Sequence, residues 1–455
     1  MLIHKTLEFY ARDTQDAPCI SIGENTLSYG EMNKLANQLA NGFLQLGMKE
    51  GERVAILGEN SVEHGVTIMA ASKAGVVSVP LNYRLAPAEL AYIINDSNTK
   101  ILIVLESMQG MLDALLPQLS DDIVLITSSA PNSLEWSSWL AELPSNSPEI
   151  ELDENAPVLQ LYTSGTTGNP KGVVTSQRNL ATLCETSVLG LPNRPNAGSA
   201  TILVAPMFHI GGAGSLIIAL YLGQHTLLHP VFDPVKIVED LDNFPVANVF
   251  MVPAMIMAAL QVPGIEQRSF KNLKTITYGA SPISESVLRK ALDVFKCDFM
   301  QSYGMTETTG SVICLSAEDH RRALAGEPEL LRSCGRPLMG NEAKVVNSDG
   351  EEIPRGEVGE IWIKSPCNML HYYNLPEATA KDLTDGWVHT GDAGTMDEEG
   401  FIYLKDRMKD MVVSGGENIY PAELERILDE FDGIIEAAVV GAADDQWGEI
   451  PVAIV

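Results

Sequence analysis

Positive charge is scarce in this chain. Thirty Lys and Arg face 60 Asp and Glu, a formal net charge of −30 over 455 residues. Such a surface repels nucleic acid and anionic lipid, which makes both poor partners. It repels small polyphosphates equally, so any site for them must gather its few cations and N–H donors locally. Long apolar runs are missing too. The best candidate, residues 65–80, is interrupted by Lys73 and is too short to span a bilayer, so no integral membrane segment is expected. The first eight residues are acidic by Glu8 and lack the apolar core of a secretory signal. The six cysteines form no C-x-x-C pair and no zinc-ligand spacing, which points to reduced thiols in a cytoplasm.

The two best-known phosphate fingerprints are also absent. Counting from Gly165, the second glycine of a P-loop falls on Pro170. Gly212 and Gly214 are followed by Ile217 where a dinucleotide fold needs a third glycine. What stands in their place is Tyr162-Thr163-Ser164-Gly165-Thr166-Thr167-Gly168-Asn169-Pro170-Lys171-Gly172, directly after the apolar residues 158–161. It sets three glycines and four short hydroxyl side chains around one lysine. Glycine lets N–H groups approach an anion, hydroxyls donate further bonds, and lysine adds charge. A plain Ser/Thr/Gly surface loop is the competing reading of this segment alone.

With 45% hydrophobic and 20% charged residues, the chain has the composition of a globular protein of two or three domains. Strand-like runs alternate with helical patterns over most of the length. Strands are expected at 53–57, 76–79 and 100–105, with helices at 61–74 and 86–96. Beyond the loop, strands at 201–205, 248–252 and 274–278 alternate with helices at 212–222, 254–261 and 284–295. Such alternation predicts parallel sheets covered by helices. From about residue 340 the texture changes to strands and turns, at 343–347, 358–364 and 401–404. The polar run 405–410 reads as a junction, followed by strands at 411–413, 437–440 and 451–455 and a helix opened by Pro421.

Several further segments suit nucleotide chemistry. Tyr303 beside Gly304 offers a flat ring for a purine, Thr306 a phosphate donor, and Glu307 an oxygen ligand of the kind Mg²⁺ prefers. Asp392, after Gly391, places a short carboxylate where it can accept from ribose hydroxyls; a turn-stabilising role is the bland alternative. Arg407 stands in a charged run, and His209 stands alone between apolar neighbours, more often a packed residue than a catalyst.

Together these segments resemble the core motifs of the adenylate-forming (AMP-binding) superfamily. The resemblance rests on the loop at 162–172, Ala205-Pro206-Met207-Phe208-His209-Ile210-Gly211-Gly212, Gln301-Ser302-Tyr303-Gly304-Met305-Thr306-Glu307, His389-Thr390-Gly391-Asp392, and Asp406-Arg407-Met408-Lys409 with Ser414-Gly415-Gly416-Glu417. Their order fits from about residue 20 to the last residue, and the texture is similar to bacterial fatty acyl-CoA synthetases and 4-coumarate–CoA ligases.

The resemblance implies an α/β fold: a large N-terminal adenylating domain over 1–405, built of paired helix-covered sheets with a β-rich subdomain at about 340–405. A hinge at 406–409 would join it to a small α+β C-terminal domain beginning at 410–455, incomplete because the family's P-x-x-x-x-G-K lysine motif is absent; a partial chain is the expectation. The implied reaction is ATP-dependent: a carboxylate becomes acyl-AMP and then acyl-CoA, with ATP, Mg²⁺ and coenzyme A required. Thr163, Ser164, Gly165, Thr166, Thr167, Gly168 and Lys171 would hold phosphates, and Thr163 with Glu307 the metal. Gln301, Ser302, Tyr303, Gly304, Met305 and Thr306, with Gly279, Ala280 and Ser281, would line the nucleotide, and Asp392 and Arg407 its ribose. His209, Gly211, Gly212 and Gly279 would border the acyl group, with His209 positioning and gating rather than transferring protons. Gly415 and Gly416 would flank the pantetheine tunnel, and Lys409 would be the hinge residue. A fatty acid is the first expectation. Ala213 stands where some long-chain enzymes carry a gating tryptophan, so an aryl acid competes. A carrier-protein acyl-AMP ligase, a luciferase-like oxygenase and a non-catalytic nucleotide-binding relative are further alternatives. A homodimer is left open.

Overall fold

The alternating runs form two large sheets. In the computed structural model, residues 1–455 are described except 129–132, 164–168, 282, 415–416, 429–430, 432, 435–436 and 445–446. One sheet has eight strands, in the order His371–Tyr372, Lys171–Ser176, Pro157–Thr163, Val77–Leu81, Arg53–Leu57, Thr99–Val104, Val124–Thr127 and Leu134–Glu135. Val77–Leu81 is buried along its whole length, as a central parallel strand covered on both faces should be. The second sheet has nine strands. Its parallel centre comprises Asp298–Met305, Thr275–Gly279, Val246–Met251, Ala200–Leu203, His225–Leu228 and Pro18–Ile22.

Helices from the two halves pack between the sheets. Val62–Ala74 follows a first-sheet strand and Ile210–Leu222 a second-sheet strand; a Cβ on Gly65 would lie 2.9 Å from Leu216. The central core gathers Met32, Phe43, Met69, Leu216 and Leu220. Sequence periodicity missed Pro18–Ile22 and Asn25–Ser28, which cross from the chain's start to the second sheet's edge. Among the described residues no helix is long and apolar enough to cross a membrane.

The β-rich texture becomes an antiparallel sheet of Glu342–Val346, Gly359–Lys364, Trp387–Met396, Leu383–Thr384 and Ile402–Arg407. The polar run read as a junction is split: Lys405, Asp406 and Arg407 complete the last of these strands, and residues 408–410 turn out of it. Beyond the turn, Glu417–Ile419, Val412–Ser414, Gly448–Ile454 and Ala438–Asp444 form a four-stranded sheet with helix Pro421–Leu428. The amide of Ala422 donates to Asp406 at 2.9 Å and ties that helix to the preceding strand.

Candidate active site

Four of the singled-out segments leave the C-terminal ends of strands, where open parallel sheets bind ligands. They are the loop after Pro157–Thr163, the turn after Ala200–Leu203, the turn after Thr275–Gly279 and the end of Asp298–Met305. Thr163 and Lys171 face each other as the last pair of an antiparallel hairpin, so the Gly/Ser/Thr loop begins and ends at one point. Ser164, Gly165, Thr166, Thr167 and Gly168 lie outside the described residues, as do Gly415 and Gly416.

Lys171 is partly buried. Its Nζ lies 2.9 Å from Asp382 Oδ2 and 4.4 Å from the centre of the Tyr372 ring. Tyr372 is placed by pairing with Val173 at the edge of the same hairpin, and its hydroxyl donates to Glu307 Oε1 at 2.9 Å. Glu307 is only 6% exposed, in the one-turn helix Thr306–Thr308. Burial raises its carboxyl pKa, while a backbone hydrogen bond, the Tyr372 bond and the charges of Lys171 and Arg407 pull the other way. The turn itself is locked by Thr308, which accepts from the Met305 amide and donates to the Gly310 carbonyl. Gly304 allows the adjoining strands to close: a Cβ there would lie 1.8 Å from the Gly310 oxygen.

Tyr303, on that strand, reaches across to Asp392 and donates to its Oδ2. Arg407 Nε lies 2.9 Å from Asp392 Oδ1, and Nη1 donates to the Thr390 carbonyl. The pair is set by register, since Asp392 and Arg407 are Cα partners in the antiparallel ladder. Asp392 is 8% exposed; burial raises its carboxyl pKa against the opposing pull of Arg407 and Tyr303. Gln301, Ser302, Met305 and Thr306 are half-buried along the same strand end.

Gly279 belongs beside them, because a Cβ would meet the Ser302 carbonyl oxygen at 2.1 Å. Ala280 follows with φ +69°, left-handed backbone that costs a non-glycine residue about 1 kcal/mol. Ala280 and Ser281 are exposed, and Pro282 lies outside the described residues.

His209 caps helix Ile210–Leu222 and is exposed, with its ring 4.5 Å from that of Phe208. Partial desolvation and then the charge of Arg84 lower its imidazole pKa. Buried Asn60 holds the preceding turn, donating to the Ala205 carbonyl at 3.0 Å and accepting from the Met207 amide at 2.8 Å. Gly211 has space, since an added Cβ would only touch Phe250 at 3.4 Å. Gly212 has none: its Cβ would fall 2.2 Å from the Pro206 oxygen, so the turn requires that glycine irrespective of any acyl group. Lys409 is exposed in the turn after Arg407.

Sequence reasoning missed Tyr372, Asp382, Arg84 and Asn60. None sits in a segment whose local spacing signals chemistry; each is recruited by pairing across the fold. For a metal, no group of three His, Cys, Asp or Glu occurs among the described residues. One buried carboxylate, Glu307, fits Mg²⁺ held mainly by phosphate oxygens and water, because Mg²⁺ keeps most of its hydration.

Known proteins are similar to this chain in sequence and fold. The sequence pattern described as "AMP-binding enzyme" matches residues 7–373. The chain is 34% identical over 448 residues to a fatty acid–acyl-carrier-protein ligase of Streptomyces coeruleorubidus, covering 98% of this chain and 84% of that protein. It is 34% identical over 429 residues to a long-chain-fatty-acid–CoA ligase of Mycobacterium tuberculosis, covering 94% and 83%. Among solved structures, the O-succinylbenzoate coenzyme A synthetase of Bacillus subtilis in complex with ATP and magnesium superposes with a TM-score of 0.86 at 29% identity, over 98% of this chain and 88% of that one. With the pattern spanning most of the chain and relatives of this identity covering nearly all of it, the protein belongs to the AMP-binding enzyme family.

Proposed function

We propose that this protein is an AMP-forming carboxylic acid–CoA ligase acting on a fatty acid. The observation that carries the reading is the convergence of two polar sets at the end of strand Asp298–Met305. One is Glu307, Tyr372 and Lys171, and the other Tyr303, Asp392 and Arg407. The first suits a metal-bound triphosphate and the second a nucleoside. Acid–CoA ligases of this family use ATP, Mg²⁺ and CoA.

In the first half-reaction the substrate carboxylate attacks the α-phosphorus of ATP, and the bond to the leaving pyrophosphate breaks. The carboxylate is already ionised at neutral pH, so alignment of two anions and charge neutralisation do most of the work. Mg²⁺ at Glu307 would neutralise the departing phosphates. In this reading Lys171 and the loop 163–168 hold the triphosphate, Asp392 and Arg407 hold the ribose, and Tyr303 with Gly279, Ala280 and Ser281 borders the base. His209 and Gly211 border the acid. In the second half the CoA thiol, losing its proton to solvent, attacks the acyl carbon and expels AMP. In the same reading residues 1–405 form the adenylating unit, and the residues from 410 onward belong to a second unit that turns about 406–409 between the two halves.

A second reading has specific support. A relative matching 98% of this chain hands its acyl group to a carrier protein. AMP release measured over a panel of fatty and aromatic acids, with and without free CoA, separates the two. Thioester formation on free CoA supports the ligase reading, and AMP release that needs a carrier protein overturns it. The proposed compartment is the cytoplasm, in keeping with six free cysteines, five of them buried. Sedimentation of the purified protein tests a homodimer.

A further inference from the structure

Tyr372 joins Glu307 and Lys171 in the first polar set, but the reaction as described gives it no step of its own. It is 4% exposed, packed with Val173 and Met369, and it bonds to the buried carboxylate of Glu307. Its ring face also lies under the Lys171 ammonium, which is itself tied to Asp382. A hydroxyl hydrogen bond fixes one carboxylate oxygen in direction. A ring face attracts a cation without fixing it, leaving Lys171 free to exchange partners.

We propose that Tyr372 is the positioning residue of the metal–triphosphate site: its hydroxyl aims the Glu307 carboxylate at Mg²⁺ while its ring holds Lys171 beside the incoming phosphates. Asp382 keeps Lys171 paired before nucleotide arrives, and the triphosphate, carrying more charge, takes the lysine from it. The two ends of one side chain thus serve two charges of opposite sign, and they can be separated by substitution.

The inference rests on the acid–CoA ligase reading and deepens it, so the test uses equilibrium binding as well as turnover. ATP affinity of the full chain is measured with and without Mg²⁺, and pyrophosphate release is followed as Mg²⁺ is varied. Tyr372→Phe keeps the ring and loses the hydroxyl. It should raise the Mg²⁺ concentration for half-maximal pyrophosphate release about tenfold, the scale of one hydrogen bond to a charged group. It should also shrink the Mg²⁺-dependent tightening of ATP binding, while metal-free ATP affinity stays within about twofold of the unsubstituted protein. Tyr372→Leu removes both ends and should weaken metal-free ATP binding too.

A double-mutant cycle excludes a merely structural effect. In a Glu307→Gln background, Tyr372→Phe should produce no further change in the Mg²⁺ response, because the group it positions is gone. An equal loss in both backgrounds overturns the proposal, as does a Tyr372→Phe protein with an unchanged Mg²⁺ response and only a lower Tm. A Mg²⁺ effect absent from the unsubstituted protein overturns the ligase reading, and this inference with it. An effect that is present and that Tyr372→Phe leaves intact overturns the role of Tyr372 alone.

Discussion

The hydroxyl of Tyr303 donates to the carboxylate of Asp392, a bond between the nine-stranded sheet and the β-rich sheet. Arg407 approaches the same carboxylate through its other oxygen. Asp392 is therefore held from two sides, with little freedom to turn from a ligand placed between them.

Asp392→Asn should weaken nucleotide binding about tenfold to a hundredfold, by analogy with losing hydrogen bonds to a charged group. The KM for the acid should stay nearly constant. Titration of the full chain with ATP checks the first part and initial rates the second. A matching rise in both constants would mean that Asp392 supports the fold rather than the nucleoside.

Glu307→Gln removes the charge at the proposed metal position and keeps the shape. Pyrophosphate release should fall about a hundredfold to a thousandfold, the usual cost of one transition-state electrostatic contact. Metal-free ATP binding should hardly change. Undiminished release at saturating Mg²⁺ would remove Glu307 from that role.

His209 is exposed and, in the proposed function, positions the acid. His209→Ala should raise the KM for the acid several-fold, with metal-free ATP affinity and Tm unchanged. The pH profile of kcat should keep its shape, since no proton passes through the imidazole. A lost limb in that profile would assign it acid–base work.

Backbone crowding separates two glycines of neighbouring motifs. Gly304→Ala sets a Cβ 1.8 Å from the Gly310 carbonyl oxygen and should destabilise the protein by at least about 2 kcal/mol. Gly211→Ala meets only the rim of Phe250 and should leave the urea midpoint unchanged. Equal midpoints for the two variants would contradict the packing described.

Acid should unfold the chain early. Burial lowers the imidazole pKa of His64 from 6.5 to about 3. Burial first, then the charge of Lys73, lowers that of His4 to about 4. Both rings bind a proton more weakly folded than unfolded, so protonation favours the unfolded chain. Their contribution is full above pH 6.5 and drains away as pH falls, toward 4 for His4 and toward 3 for His64, by at most about 2 kcal/mol per group at pH 5. Urea midpoints at pH 7.5 and 5 measure the loss, and His4→Gln should reduce it. An identical pH response in that variant would remove His4 from the account.

Much of this is legible in the sequence. The strand Arg53–Leu57 matches the sequence expectation at both ends, because an apolar β-prone run bounded by polar residues has little other choice. Asp392 and Arg407, read as serving one ribose, are Cα partners in one ladder, and Thr163 and Lys171, read in one loop, are Cα partners at the end of a hairpin. Tyr372 was not legible. Its strand is two residues long, and its placement comes from pairing with Val173, far earlier in the chain. Gly212 marks a different limit: composition suggests room for a ligand, while the backbone uses that room for Pro206.

The guanidinium at position 407 ends the last strand of the β-rich sheet, and the turn into residues 410–455 starts at its neighbour, where the Met408 amide donates to the Gly391 carbonyl. Any displacement of the later residues that draws Arg407 from Asp392 changes the affinity for a ligand bound there. Reciprocity then requires that ligand to oppose the displacement by the same factor. If a nucleotide binds at Asp392 as proposed, its occupancy and the position of the residues after Arg407 are one equilibrium, measurable from either end.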